Sequence, residues 1–184
     1  LEFRRVLFRS GLLRISELED TRRRSAFGSF QPEALLQQAH EFYEPLAQGK
    51  GQQLILQISG HYPTLRGDVS LLFEALVNLM DNAIKFTQPG GEIHLICQRR
   101  EHSLSIEVLD NGPGIPAAER NSVTRRLYRG DATRQQPGNG LGLSLVAAIA
   151  RLHGFGLSIE EGNQGRGTRI VLDCPLRDPQ NERS

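Results

Sequence analysis

The run DVSLLFEALVNLMDNAIKF, residues 68–86, decides the fold. Val69, Leu72, Phe73, Leu76, Met80, Ala83 and Ile84 recur at steps of three and four, so they line one side of a helix and form its core face. Glu74, Asn78, Asn82 and Lys85 fall together on a different side. Asparagine in a helix interior costs about half a kcal/mol relative to alanine. Two of them one turn apart, with a lysine above, therefore point to a bound ligand. Amide oxygens suit a hard cation such as Mg2+, and an ammonium suits phosphate. A solvated polar face is the competing reading of this helix taken alone.

Working outward, residues 54–59 alternate as a half-buried strand does, and two more strands, 92–98 and 103–109, are joined by a turn around Arg100–His102. Upstream, Pro32 and Glu33 open a second helix whose apolar face is Leu35, Leu36, Ala39, Phe42, Tyr43 and Leu46. Pro45 is expected to kink or end it. Residues 27–30 are a short extended stretch. Residues 111–139 form a long loop rich in glycine, proline, arginine and glutamine, a length that usually signals function or disorder. A helix over 141–152 stops at His153 and Gly154, and strands at 157–160 and 168–172 close a hairpin across a glycine-rich turn. Hairpins mixed with helices, without a regular βαβ repeat, predict a sheet covered on one face by helices.

Two further stretches carry chemistry. Asp110-Asn-Gly112-Pro-Gly114-Ile115 ends an apolar strand, so a carboxylate reaches the sheet edge where two glycines let backbone approach a ligand. Such a carboxylate can accept a hydrogen bond from an exocyclic amine like that of adenine. Gly138-Asn-Gly140-Leu141-Gly142-Leu143 opens a helix, whose free N–H groups and dipole favour phosphate. It is neither a dinucleotide fingerprint nor a P-loop, since the third glycine is mis-spaced and no Gly-Lys-Ser/Thr follows. Each stretch alone is weak. Asp-Asn-Gly is an ordinary turn.

Together, and in this order, the three resemble the N, G1 and G2 boxes of the ATP-binding catalytic domain of bacterial sensor histidine kinases. The resemblance spans residues 11–175. It implies the Bergerat fold, a two-layer α/β (α+β) sandwich with a mixed, mostly antiparallel sheet packed on one face by about three helices. It also implies roles. Asn82 matches the Mg2+-coordinating asparagine; Asn78 and Lys85 match residues that contact or position phosphates, and Phe86 an aromatic beside adenine. Asp110 matches the carboxylate that binds the adenine amino group, in a pocket shaped by Gly112, Gly114 and Ile115. Gly140, Leu141 and Gly142 match the backbone approach to the phosphates. Arg129 matches a lid arginine that reaches the terminal phosphate, and Thr168 a threonine that holds adenine through water. Asn78, Lys85 and Arg129 are the residues implied in catalysis. The implied reaction is transfer of the ATP γ-phosphate to a histidine of a dimerisation domain, in two-component signalling. Implied partners are that domain, a downstream response regulator and a second copy of the parent kinase. One departure touches the lid: Ser122 to Leu127 stands where the family usually has phenylalanines.

Residues 1–10 read as translated sequencing-adaptor sequence and are set aside from the fold. Residues 11–26, with Leu12, Ile15 and Leu18 at helical spacing, resemble the end of the dimerisation hairpin. The domain is expected over 27–175 and a disordered tail over 176–184. His40-Glu-Phe-Tyr-Glu-Pro45-Leu46 mimics the phosphoacceptor motif. It is rejected, because residues 47–67 leave no room for a second hairpin arm and contain a strand. The acceptor is therefore expected outside this sequence. A formal net charge of +1 gives no case for nucleic acid, and the longest apolar run, 141–152, is too short to span a bilayer. Cys97 and Cys174 lack metal-ligand spacing and read as reduced core thiols of a cytoplasmic domain. The parent is expected to be anchored in the bacterial inner membrane. Two other readings stay open. A hydrolytic ATPase of the same superfamily would place a glutamate one turn before the Mg2+ asparagine, where Asn78 stands; a non-catalytic nucleotide-binding module would bind without transfer.

Overall fold

The computed structural model describes residues 27–60, 62–124 and 141–176. Its elements in order are β1 (Gly28–Phe30), α1 (Pro32–Gly49), β2 (Gln53–Ile58), β3 (Leu65–Gly67), α2 (Val69–Phe86), β4 (Glu92–Arg99) and β5 (Ser103–Asp110). A short α3 (Ala117–Arg120), α4 (Gly142–His153), β6 (Gly156–Glu161) and β7 (Thr168–Pro175) follow. Five strands form one sheet in the order β2-β4-β5-β7-β6, with β2 and β4 parallel and the other pairs antiparallel. The helices share one face. Leu104, Ile106 and Val108 of β5 join Leu72, Leu76 and Met80 of α2 and Val146 and Ile149 of α4 in one core. The expected one-sided sandwich is thus present.

Alternation along β5 has a consequence for the site. Asp110 has the parity of Ile106 and Val108, so its carboxylate is delivered to the helix side. The opposite parity carries Glu107, fully buried, with Arg169 donating to it at 2.6 and 2.8 Å and Ser105 at 2.7 Å. A buried charge survives only when paired in this way.

Several local expectations are corrected. α1 runs through Pro45 to Gly49. Pro45 and Glu41 are exposed, so the carbonyl left without an amide partner faces water, while buried Tyr43 and Ala47 hold the flanking turns on the core. Val69 is 40% exposed rather than core, because it stands in the first turn of α2, ahead of the elements that cover the buried arc from Leu71 to Ile84. β3 was not expected; it pairs with β1 in a separate ribbon, Gly28 opposite Gly67. α3 interrupts the loop expected at 111–139. The other elements fall within a few residues of their predicted limits. Cys97 and Cys174 are buried free thiols, and burial pushes Cys97 up to about 12.

Candidate nucleotide site

The polar stripe of α2 is held from both ends. Asp68 caps its start, accepting from the amides of Ser70 and Leu71 at 3.0 and 3.2 Å, a cap worth about 1 kcal/mol. At the other end, buried Gln52 donates to the carbonyls of Ile84 and Thr87 at 2.9 and 2.6 Å, and Lys50 donates to Ile84 at 3.3 Å. In the middle, the Tyr43 hydroxyl lies 3.1 Å from the Val77 carbonyl and 3.0 Å from the Asp81 carboxylate. None of these supports was expected from the sequence. Gln52 and Tyr43 follow no periodicity that separates them from other polar or core positions.

On the stripe itself, Asn78 donates to the Glu74 carbonyl at 2.8 Å, which fixes its amide, and its side-chain oxygen faces Gly142. The start of α4 lies against that face. A Cβ added to Gly142 would stand 3.1 Å from the Asn78 side-chain oxygen and 3.8 Å from the Asn82 nitrogen. The glycine therefore lets the start of α4 approach the two asparagines closely. Lys85 rides over the Phe86 ring, 4.7 Å from its centroid, one turn beyond Asn82.

Asp110 and its glycines form the other half. The Asp110 carboxylate accepts from the amides of Gly112 at 2.9 Å and Thr168 at 3.3 Å. Burial raises its pKa from the ordinary carboxylate value, and those amides, with the Thr168 side chain, oppose the rise. A Cβ on Gly112 would meet the Phe86 carbonyl at 2.9 Å, so this turn closes onto the end of α2. Gly114, at φ +80°, similarly admits the Gly167 carbonyl, where a Cβ would come within 2.8 Å. Gly167, at φ +79°, lies so close to the Asp110 carbonyl that no side chain fits. Residues from three separate motifs thus meet: Asn78, Asn82 and Gly142 on one side, and Phe86, Asp110, Gly112 and Thr168 on the other, joined by the last turn of α2. Ile115 is half-buried and its carbonyl accepts from Arg120 at 2.9 Å. Leu141 is the N-cap of α4 and its carbonyl accepts from Leu145 at 2.9 Å. Arg129 and Gly140 lie outside the described residues. From the sequence, Gly167 was read only as the end of the glycine-rich hairpin turn before Thr168, not as part of the site.

The arrangement suits a nucleotide. The start of α4, where Gly142 brings no side chain, carries amides that suit phosphates, and the half-buried aromatic Phe86 and the carboxylate of Asp110 offer a flat, acceptor-bearing wall. Among the described residues no three His, Cys, Asp or Glu side chains gather as a metal cluster. A cation here would be shared between the Asn82 amide oxygen and phosphate oxygens, a common way of holding Mg2+.

A one-sided α/β sandwich that brings these three motifs together points to a nucleotide-binding domain. The chain belongs to the family described as histidine kinase-, DNA gyrase B- and HSP90-like ATPases, which it matches over residues 67–178. It is similar to the adaptive-response sensory kinase SasA of Synechococcus elongatus, 37% identical over 145 residues, 78% of this chain and 37% of that protein. It is also similar to the signal transduction histidine-protein kinase/phosphatase MprB of Mycolicibacterium smegmatis, 45% identical over 125 residues, 64% of this chain and 25% of that one. The chain therefore spans about a quarter to just over a third of these curated relatives. Among solved structures, the mycobacterial sensor histidine kinase MprB superposes with a TM-score of 0.70 at 26% identity, covering 82% of this chain and 98% of that one. The catalytic domain of histidine kinase ThkA shares the fold, with a TM-score of 0.71 at 21% identity, covering 81% of this chain and 97% of that one. By family, fold and relatives, this is an ATP-binding catalytic domain of the sensor histidine kinase type. No described helix is long and apolar enough to cross a membrane.

Proposed function

We propose that the chain binds Mg2+-ATP between α2, the end of β5 and the start of α4, and presents the γ-phosphoryl group to a histidine carried by a dimerisation domain. The observation that carries this reading is the seat of Gly142 on Asn78 and Asn82, which joins a phosphate-favouring helix start to amides that suit a cation. Bound ATP supplies the phosphoryl group. The chain's own residues orient it: Asn82 through the cation, Asn78 and Lys85 at the phosphates, Gly140, Leu141 and Gly142 through backbone. Asp110 selects adenine by accepting from its amino group, with Thr168 beside it, while Phe86 and the segment from Gly112 to Ile115 line the base. Arg129 is assigned the terminal phosphate.

Transfer is favoured over hydrolysis by Asn78. It occupies the position one turn before Asn82 where a hydrolase needs a carboxylate, and an amide cannot take a proton from water at neutral pH. His40 is not the acceptor. It lies inside α1 with a ring nitrogen 3.4 Å from the Leu54 carbonyl, and β2 begins four residues after α1 ends. In this reading the domain works in the cytoplasm, within a longer homodimeric kinase anchored in the inner membrane that passes its phosphoryl group to a response regulator. Calorimetric titration with ATP tests the site. Affinity should fall at least tenfold on removing Mg2+, and Asn82→Ala should remove that Mg2+ dependence. Equal Mg2+ dependence in wild type and Asn82→Ala would take the cation away from α2.

A further inference from the structure

Gln52 stands between α1 and β2, 5% exposed, with its backbone tied on both sides to the turn that follows α2. The Gly90 amide donates to the Gly51 carbonyl at 2.7 Å, and the Gln53 amide donates to the Gly91 carbonyl at 2.9 Å. From that fixed base the Gln52 side chain reaches α2, where its amide nitrogen donates to the carbonyls of Ile84 at 2.9 Å and Thr87 at 2.6 Å. Those two carbonyls bracket Lys85 and Phe86, the last two residues of the helix. The final carbonyls of a helix lack partners within it, so its last turn frays unless donors come from elsewhere. Lys50 is a second donor, 3.3 Å from the Ile84 carbonyl, but it is exposed, whereas Gln52 is enclosed.

Stability alone is a poor reason for a glutamine at this position. Its side-chain oxygen is buried with no hydrogen-bond partner among the described residues, and so is the Thr87 hydroxyl oxygen. A buried acceptor left unpaired opposes folding, and an apolar side chain of the same shape would remove that penalty. What the amide adds is its two donated bonds, and what those bonds hold is a wall of the site. The Lys85 ammonium lies 4.7 Å from the centroid of the Phe86 ring, and a Cβ on Gly112, in the turn after Asp110, would stand 2.9 Å from the Phe86 carbonyl. We propose that Gln52 is a positioning residue of the nucleotide site: by pinning the carbonyls on either side of Lys85 and Phe86, it sets where the ammonium meets phosphate and where the ring meets adenine. This role rests on the assignment of Lys85 to the phosphates and of Phe86 to the base. Gln52 acts through those two residues, not on the ligand.

A double-mutant cycle on ATP affinity tests this, read by calorimetric titration of the full chain in the presence of Mg2+. Gln52→Met keeps the bulk of the side chain and removes both donated bonds. The companion variant combines Lys85→Ala with Phe86→Ala. Gln52→Met should weaken ATP binding by about fivefold or more in the wild type, and by less than about twofold where Lys85 and Phe86 are already replaced. A glutamine that served the fold alone would lose the same factor in both backgrounds. Thermal unfolding of each protein shows that the body is folded. If Gln52→Met does not fold, Gln52→Asn, whose amide falls one carbon short of the two carbonyls, takes its place in the cycle. Equal losses in the two backgrounds, or no loss in the wild type, overturn the proposal and leave the site assignment standing, provided the companion variant itself binds ATP more weakly. A companion variant that binds ATP as the wild type does would show that Lys85 and Phe86 do not hold the nucleotide, and would overturn both.

Discussion

Replacing Asp110 by asparagine should weaken ATP binding while leaving the fold as stable or more so. The carboxylate already satisfies two amides, those of Gly112 and Thr168 at 2.9 and 3.3 Å, through one oxygen. An asparagine oxygen can take that place and keep both bonds. The amide nitrogen must then stand where the second carboxylate oxygen faced the ligand, and a donor there confronts the adenine amino group. An unsatisfied buried pair of this kind costs about 1–3 kcal/mol, which at about 1.4 kcal/mol per decade is a loss of roughly 5- to 140-fold in affinity. Stability should move the other way. Burial raises the Asp110 pKa, so ionisation at neutral pH opposes folding, and the uncharged amide removes that cost. Calorimetric titration of both proteins with ATP, beside thermal unfolding of each without ligand, separates the two effects. Unchanged affinity in Asp110→Asn would refute the assignment of this carboxylate to the base. A large drop in melting temperature would show that the second oxygen is structural instead.

Gly142→Ala should lower ATP affinity several-fold by titration without lowering the melting temperature, because its new carbon would press on the Asn78 oxygen at 3.1 Å while alanine suits a helix better than glycine; unchanged affinity would mean that the seat of α4 on α2 is not part of the site. His153 makes a pH signature. Its Nδ1–H donates to the Ile149 carbonyl at 2.8 Å and its Nε2 accepts from the Asp68 amide at 2.9 Å, while its ring stacks on Phe27, so the neutral ring fits and burial lowers its pKa below 6.5. A base depressed on folding contributes fully above its unfolded value and loses that contribution as pH falls from about 6.5 toward the folded value. The stability gap between wild type and His153→Gln should therefore be widest above pH 6.5 and narrow on acidification, and a gap independent of pH would exclude this role.

Periodicity made α2 legible from end to end, because a long amphipathic helix repeats its pattern five times over. The strand-end position of Asp110 and the helix-opening glycines were legible for the same reason: they punctuate strong patterns. What stayed hidden was set by tertiary contact. β3 has three residues, too few for a period, and exists because β1 lies beside it. Pro45 obeyed the packing of Tyr43 and Ala47 over its own propensity. Glu107 reads as a polar interruption in an apolar strand until Arg169 arrives from 62 residues away to pair with it. Gln52 and His153 hold the ends of α2 through single side chains that no local pattern marks. The residues assigned to the nucleotide were thus easier to find than those that hold them in place.

The central claim is that this domain delivers phosphoryl groups to a histidine that it does not itself carry. Incubation with γ-labelled ATP and Mg2+, with and without a separate dimerisation domain bearing the acceptor histidine, tests it most directly. In-line transfer requires a positioned nucleophile, so without one the site binds ATP and the reaction stops. The account predicts acid-labile label on the added domain and none on this chain, in the wild type and in His40→Gln alike. Label on the isolated chain that disappears in His40→Gln, or steady release of inorganic phosphate with no label on the added domain, would contradict it.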